Sequence, residues 1–230
     1  MKTVLSLVLI GTLYSSFALA QDRPDPNMPQ GTNLEVPEGW EVHLDHEMPE
    51  VVISSDPDSA DIYFVNMTPG WHITTGPAGI FYHPANTASG NFTIKSELHF
   101  FEPGDRNREA YGVFLGGSDL EGEDQYYVYF LIRNTGEFLI KERMGMETAL
   151  LQGWTSSSAI IKYEPGVTEN SSVMNTLSVN VSNNDVSFYI NDDEVASMNT
   201  SDMKTSGTFG LRVNHSINLH ISDLSLITEN

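Results

Sequence analysis

Cationic, aromatic and acidic side chains that could contact a ligand are concentrated in the middle of this 230-residue chain. Six of the eleven lysines and arginines lie between positions 95 and 143. Alternation with apolar residues predicts a set that points away from the core and gathers on one concave face: Glu97, His99, Glu109, Tyr111, Tyr127, Tyr129, Arg133, Lys141 and Arg143. Aromatic rings stack on sugar rings and polar groups hydrogen-bond to hydroxyls, so this set suits a saccharide. Ordinary cross-strand ion pairs on a solvated face are the alternative interpretation.

A second group of aromatic and histidine side chains lies nearer the N-terminus. A Gly76-Pro77 turn separates Trp71 and His72 from Tyr82, which predicts that the strands on either side of the turn pair with each other. We expect the edge of the groove to be formed by Trp71, His72, Tyr82 and Trp154. A core position for Trp71 is the alternative, because large aromatic side chains are highly buried on average.

The acidic residues do not have the arrangement that glycoside hydrolysis needs. A retaining glycosidase holds two carboxylates about 5 Å apart, whereas the acidic groups here lie in turn-like segments, 119–124 and 192–194. The sequence therefore favours a non-catalytic protein without settling the question. Hard cations bind clustered oxygens, so a weak calcium site is expected at the first segment, with a solvated loop tip as the alternative: Asp119, Glu121, Glu123 and Asp124. No histidine spacing matches a zinc motif, and no other cofactor is expected.

These side chains must be positioned by strands, because a two-residue period dominates the sequence after Trp40. Phe92 to Phe100 and Tyr126 to Ile132 alternate strictly between apolar and polar or aromatic positions. Turn signals containing proline, glycine or asparagine separate such runs at short intervals, which is typical of an antiparallel β-sandwich or jelly roll. The segment from Met144 to Ser158 is the least strand-like, and we expect a long loop there that carries Trp154.

The N-terminal part of the chain suggests an exported protein with one domain. Residues 1–20 have a basic start, an apolar middle and an Ala-Leu-Ala end, which predicts a signal peptide. Residues 21–39 contain four prolines and predict an extended lead-in or tether, followed by a single sandwich domain over 40–230. We therefore expect a secreted or periplasmic protein with no membrane span. The net charge of −20 argues against nucleic acid as a partner.

The last third of the chain resembles a known superfamily. Residues 177–198, LSVNVSNNDVSFYINDDEVASM, and residues 207–227, GTFGLRVNHSINLHISDLSLI, have the strand and turn order of concanavalin A-like domains. Among these they are most similar to laminin G-like modules and to the bacterial exported 3-keto-disaccharide hydrolases. The resemblance implies an all-β, two-sheet antiparallel sandwich. It does not choose among lectins, glycosidases, lyases and adhesion modules, because one fold carries many functions.

Three functions therefore stay open at this stage. The first is a carbohydrate-binding, lectin-like module that uses the concave face of one sheet for a saccharide or glycan. The second, implied by the hydrolase resemblance, is a saccharide-processing enzyme whose candidate acid, base and binding groups are Glu97, His99, Glu109 and Arg133. The third is a structural or adhesion module without a small-molecule site.

Overall fold

The computed structural model describes residues 34–103, 108–168 and 171–228. Within these ranges the chain forms fifteen strands and one 3₁₀ turn, Thr200–Asp202. The strands are β1 Glu41–Leu44, β2 Ile53–Ser54, β3 Ile62–Asn66, β4 Trp71–Thr75, β5 Gly79–Ala88, β6 Phe92–Phe101, β7 Ala110–Ser118, β8 Tyr126–Arg133, β9 Glu137–Met144, β10 Glu147–Ser156, β11 Ser172–Val181, β12 Asp185–Ile190, β13 Asp193–Asn199, β14 Gly207–Val213 and β15 Asn218–Thr228.

The strands form two sheets, which confirms the predicted β-sandwich. Sheet A has the order β1-β5-β14-β7-β8-β9-β10, and sheet B has the order β13-β12-β11-β6-β15-β4-β3-β2. All strand pairs are antiparallel except β2 with β3. The predicted signal peptide and most of the predicted lead-in lie outside the described residues. The described residues contain no helix that is long and apolar enough to cross a bilayer.

Two local predictions were wrong. The strands on either side of Gly76-Pro77 do not pair with each other, because β4 lies in sheet B and β5 in sheet A. The turn is therefore a crossover between the sheets. The expected loop from Met144 to Ser158 contains the ten-residue strand β10 at the edge of sheet A. Two register shifts interrupt the pairing of β10 with β9, and such irregularities hide the two-residue period in the sequence.

The alternating apolar residues meet between the sheets. All five predicted inward positions of β6, from Phe92 to Phe100, are buried. Phe100 stacks on Tyr111 of β7 with ring centroids 4.9 Å apart, and Phe130 of β8 meets Phe188 of β12 edge to face at 5.3 Å. Each of these contacts joins sheet A to sheet B, so aromatic burial fixes how the sheets stack.

An asparagine pair inside the sandwich holds the segment that joins β10 to β11. Asn175 is fully buried; its Oδ1 accepts from Ile161 N and Asn191 Nδ2, both at 2.9 Å, and its Nδ2 donates to Ile161 O at 2.9 Å. Asn191 Nδ2 also donates to Ala159 O at 2.8 Å. The buried polar side-chain atoms of Asn175 and Asn191 are therefore hydrogen-bonded, and these bonds hold the connecting segment against the core.

Replacing Asn175 with leucine should destabilise the fold. The leucine has a similar shape but leaves the Ile161 N–H and C=O without their side-chain partner and removes one of the two acceptors of the Asn191 amide, so we expect the free energy of unfolding to fall by about 3 kcal/mol. Urea denaturation followed by circular dichroism measures the change. The matched control is Asn180→Leu on the same strand, because within the described residues the Asn180 side chain hydrogen-bonds only to the Thr93 hydroxyl and is half-buried. Equal losses in the two variants would contradict the role given to the buried pair.

Candidate functional site

The face of sheet A that points away from the sandwich interior carries a second cluster of buried side chains. We call this surface the outer face of sheet A. Its core is formed by Ile80, Tyr82, Ala110, Phe114, Tyr127, Tyr129, Leu131 and Leu139, with Leu120 beside it. Tyr127 and Tyr129 are only 2% and 6% exposed. An outward face this rich in aromatic side chains differs from the solvated, polar face that antiparallel sandwiches usually present.

Seven of the predicted groove residues lie on this outer face. Strand pairing places Lys141 opposite Tyr129 and Arg143 opposite Tyr127, and directly paired residues share a face. The guanidinium of Arg133 lies 3.9 Å from the ring centre of Trp154, so the edge strand β10 contributes its tryptophan to the same surface. The set that the structure brings together is Tyr82, Tyr127, Tyr129, Arg133, Lys141, Arg143 and Trp154.

The prediction of a single shared face was wrong for the other groove candidates. Glu97, His99 and His72 point outward from sheet B, on the opposite side of the sandwich. Glu97 and His99 therefore cannot share a small substrate with Arg133, and the proposed set of enzymatic groups does not assemble. Alternation along a strand shows which residues turn away from the core, but it does not show to which sheet the strand belongs.

Three more candidates lie elsewhere. Tyr111 belongs to the interior, where it stacks on Phe100. Trp71 packs on Trp40 at 4.7 Å and against the core, so the core interpretation of this residue was correct. Glu109 is half-buried immediately before β7 and is not part of the outer cluster.

A buried ion pair joins the segment after β1 to the middle of the outer face. Arg212 Nη2 donates to Asp45 Oδ2 at 2.6 Å, and its Nη1 donates to the carbonyl oxygens of Gly79 and Val213, both at 3.0 Å. The Arg212 side chain is 7% exposed, and its Nε has no hydrogen-bond partner in the part of the chain that the structure describes. Arg212 was not among the predicted site residues, although a lone cation between the apolar residues Leu211 and Val213 is visible in the sequence.

A second arginine holds the same segment from the far side of the sheet. Arg143 Nη2 lies 3.4 Å from Asp45 O, and its Nε donates to Gly145 O at 2.6 Å. Asp45 follows β1, and Arg143 is on β9, five strand positions away, which would be about 24 Å in a flat sheet. For Arg143 and Asp45 to touch, either sheet A must be strongly curved or the segment after β1 must cross the outer face. In both cases one end of the outer face is enclosed.

The tyrosines and the acidic group on this face keep defined protonation states at neutral pH. Burial raises the pKa of Tyr127 to about 12 and also raises that of Tyr129, so both hydroxyls stay protonated and can donate as well as accept hydrogen bonds. Hydrogen bonds from Thr135 and Arg133 lower the pKa of Glu137, so this carboxylate stays ionised. Arg133 Nη2 lies 2.6 Å from Glu137 Oε2.

A cavity of about 640 Å³ adjoins the enclosed end of the outer face. It lies between the segment after β1 and the loop that joins β7 to β8. Gln125 Nε2 and His43 Nε2 are 3.4 Å apart on its wall. Carboxylates contribute most of its polar groups: Asp45, Glu47, Glu121, Glu123 and Asp124. Oxygen acceptors at this density match the hydroxyl donors of a sugar.

The calcium candidates line or flank this cavity without forming a metal site in the structure. Asp119 has a positive φ of 49°, and its Oδ2 accepts from Asp124 N at 3.2 Å, so the carboxylate stabilises the turn. Across the described ranges, no group of three or more histidine, aspartate and glutamate side chains is arranged to hold a metal ion. Calcium at this loop stays an untested prediction.

The outer face does not contain the paired carboxylates of a glycosidase in its described strands. Glu41 lies on β1 and Glu137 on β9, at opposite sides of sheet A, so no two carboxylates share a strand there. Asp45 and Glu137 are each engaged by an arginine. This geometry can bind and orient a ligand through stacking and hydrogen bonds.

Comparison with known proteins identifies the fold but no family. No protein-family model matches the sequence, and no curated protein matches it. Among solved structures, the carbohydrate-binding module CBM66 from Bacillus subtilis has a TM-score of 0.57 at 10% identity, with 87% of this chain and 100% of that chain covered. The β-glucanase of Bacillus licheniformis has a TM-score of 0.55 at 10% identity, covering 89% of this chain and 96% of that one.

A Bacillus subtilis protein of unknown function with a galectin-like fold is also similar, with a TM-score of 0.53, 12% identity and coverage of 82% and 88%. The finer resemblance to 3-keto-disaccharide hydrolases stays a prediction, because identities this low indicate a shared fold only. The chain therefore shares the two-sheet jelly-roll fold of these solved structures.

Proposed function

We propose that this protein is an exported carbohydrate-binding module that holds a saccharide on the outer face of sheet A. The observation that carries the proposal is the partly exposed Trp154, which lies with basic side chains on one aromatic face that ends in a polar cavity. The likeness to a carbohydrate-binding module over that module's whole length supports it. The predicted signal peptide supports export to the periplasm or the medium.

Binding would combine stacking with hydrogen bonding. Trp154 is 38% exposed, and Arg133 covers part of its ring, so the indole is held in place while part of its surface stays open to a sugar. At the other end of the face, cavity carboxylates accept hydrogen bonds from hydroxyls. Five carboxylates would repel a uronate there, so the geometry favours a neutral glycan.

The non-catalytic function is favoured over a saccharide-processing enzyme. Glycoside hydrolysis needs two carboxylates flanking one bond, and the described strands of the outer face hold no such pair. A structural or adhesion role without a ligand does not account for a cavity of about 640 Å³ next to an aromatic face.

Trp154→Ala should weaken saccharide binding about tenfold, since aromatic stacking contributes about 0.5–1.5 kcal/mol beyond the buried area. Isothermal titration calorimetry against soluble neutral polysaccharides, including β-glucans, first finds a ligand for the wild-type protein and then compares the variants. The control is Val167→Ala, which truncates a residue that is 69% exposed in the loop between β10 and β11. If no neutral glycan binds at millimolar concentration, or if both variants bind equally well, the proposed site is wrong.

Asp45→Asn should loosen the enclosed end of the face. It leaves the buried Arg212 without a carboxylate partner, so we expect a loss of about 2 kcal/mol in the free energy of unfolding, together with weaker glycan binding. Because Asp45 is 23% exposed, the expected loss in the free energy of unfolding is smaller than for a fully buried ion pair.

The matched control is Glu137→Gln, which breaks a more exposed arginine pair and should cost under about 1 kcal/mol. Replacing both partners, as Asp45→Leu with Arg212→Leu, should restore part of the stability because no unpaired charge stays buried. Chemical denaturation and glycan titration of the same variants measure both effects. A double variant less stable than Asp45→Asn would show that the pair itself, rather than the orphaned arginine, governs stability.

A further inference from the structure

Four neighbouring strands of sheet B present histidine, histidine, histidine and methionine in one row on the face that points away from sheet A. His220 of β15 is directly opposite His72 of β4 on one side and His99 of β6 on the other. His99 is in turn directly opposite Met174 of β11. Directly paired residues have Cβ atoms about 5 Å apart, so these side chains are immediate neighbours.

The exposed half of the row has the spacing of a metal site. The rings of His99 and His220 have centroids 5.4 Å apart. Two imidazoles on one tetrahedral ion, with metal–nitrogen distances of about 2.0 Å, place their ring centres about 5 Å apart. Met174 is 44% exposed beside His99, whereas His72 at 1% exposure forms the buried wall behind His220.

A hydrogen-bonded chain fixes which nitrogen of His99 is available. Ser222 Oγ donates to Glu97 Oε2 at 3.1 Å, because a carboxylate only accepts. The same Ser222 oxygen lies 3.0 Å from His99 Nε2, so it must accept the Nε2 proton. His99 therefore keeps its lone pair on Nδ1. A ligand histidine whose other nitrogen donates to a polar neighbour is the usual support of a protein metal site.

His220 supplies a second imidazole. Its Nδ1 is shielded from solvent and makes no hydrogen bond of standard geometry within the described residues, although the backbone of Trp71 lies nearby. Leaving such an atom unsatisfied costs free energy, which coordination would recover.

We propose that His99, His220 and Met174 form a copper-binding site on the outer face of sheet B. Imidazole binds several transition metals, but a thioether selects copper, above all Cu(I). The proposed ligand set therefore contains a thioether in addition to two imidazoles, unlike a metal site made only of histidines and carboxylates. Ser222 and Glu97 position His99 without touching the ion. The site lies on the opposite side of the sandwich from the proposed saccharide face and does not depend on it.

Competition between the untagged full-length protein and a chromogenic Cu(I) chelator, under anaerobic reducing conditions, tests the site. We expect one Cu(I) per chain. His99→Gln, His220→Gln and Met174→Leu should each weaken binding at least tenfold, and Ser222→Ala should weaken it about tenfold through the lost support of His99. Met174→Leu should change the Zn(II) affinity much less than the Cu(I) affinity, which separates a thioether ligand from a structural effect.

The controls are His46→Gln and Met146→Leu, which alter a histidine and a 72% exposed methionine near sheet A and should leave Cu(I) binding unchanged. Thermal melts in excess chelator confirm that every variant is folded. Two results would overturn the proposal: a wild-type affinity equal to that of the triple variant His99→Gln, His220→Gln, Met174→Leu, or a loss produced equally by the controls.

Discussion

The packing of the two sheets against each other is the constraint on which every other feature depends. Phe100 on Tyr111 and Phe130 on Phe188 join sheet A to sheet B through their inner faces. Once those faces are buried, the two-residue period of a strand sends every second side chain outward on the far side of its own sheet. The sandwich therefore has two separate outer surfaces, and a residue of one cannot act with a residue of the other.

The outer face of sheet A shows what is needed to bury polar groups on such a surface. Arg212 contacts the carboxylate of Asp45, and Arg143 contacts its backbone carbonyl oxygen. A buried guanidinium is stable only when carbonyls and carboxylates surround it, so the segment after β1 must stay where these contacts hold it. The enclosed end of the face and its cavity are consequences of this ion pair and of the backbone contact beside it.

Sequence periodicity predicted the fold and part of the site. The alternation in Phe92–Phe100 and Tyr126–Ile132 gave the correct inward residues, because burial of one face leaves a direct signal in the chain. It could not assign His99 and Tyr127 to different sheets, since partner choice is set by contacts distant in sequence. The asparagine pair in the interior and the strand β10 were missed for related reasons. A buried amide resembles a turn residue in sequence, and register shifts interrupt the alternation of an edge strand.

Charge separates the proposed saccharide face from the rest of the surface. Half of the eight lysines and arginines within the described ranges lie on the outer face of sheet A: Arg133, Lys141, Arg143 and Arg212. The whole chain carries a net charge of −20. Concentrating cations where tyrosines and a tryptophan also gather offsets part of the surrounding acidity on this face. An acidic chain needs few cations for solubility, so their placement on one aromatic face fits the contacts made there to Asp45 and supports the proposed saccharide site.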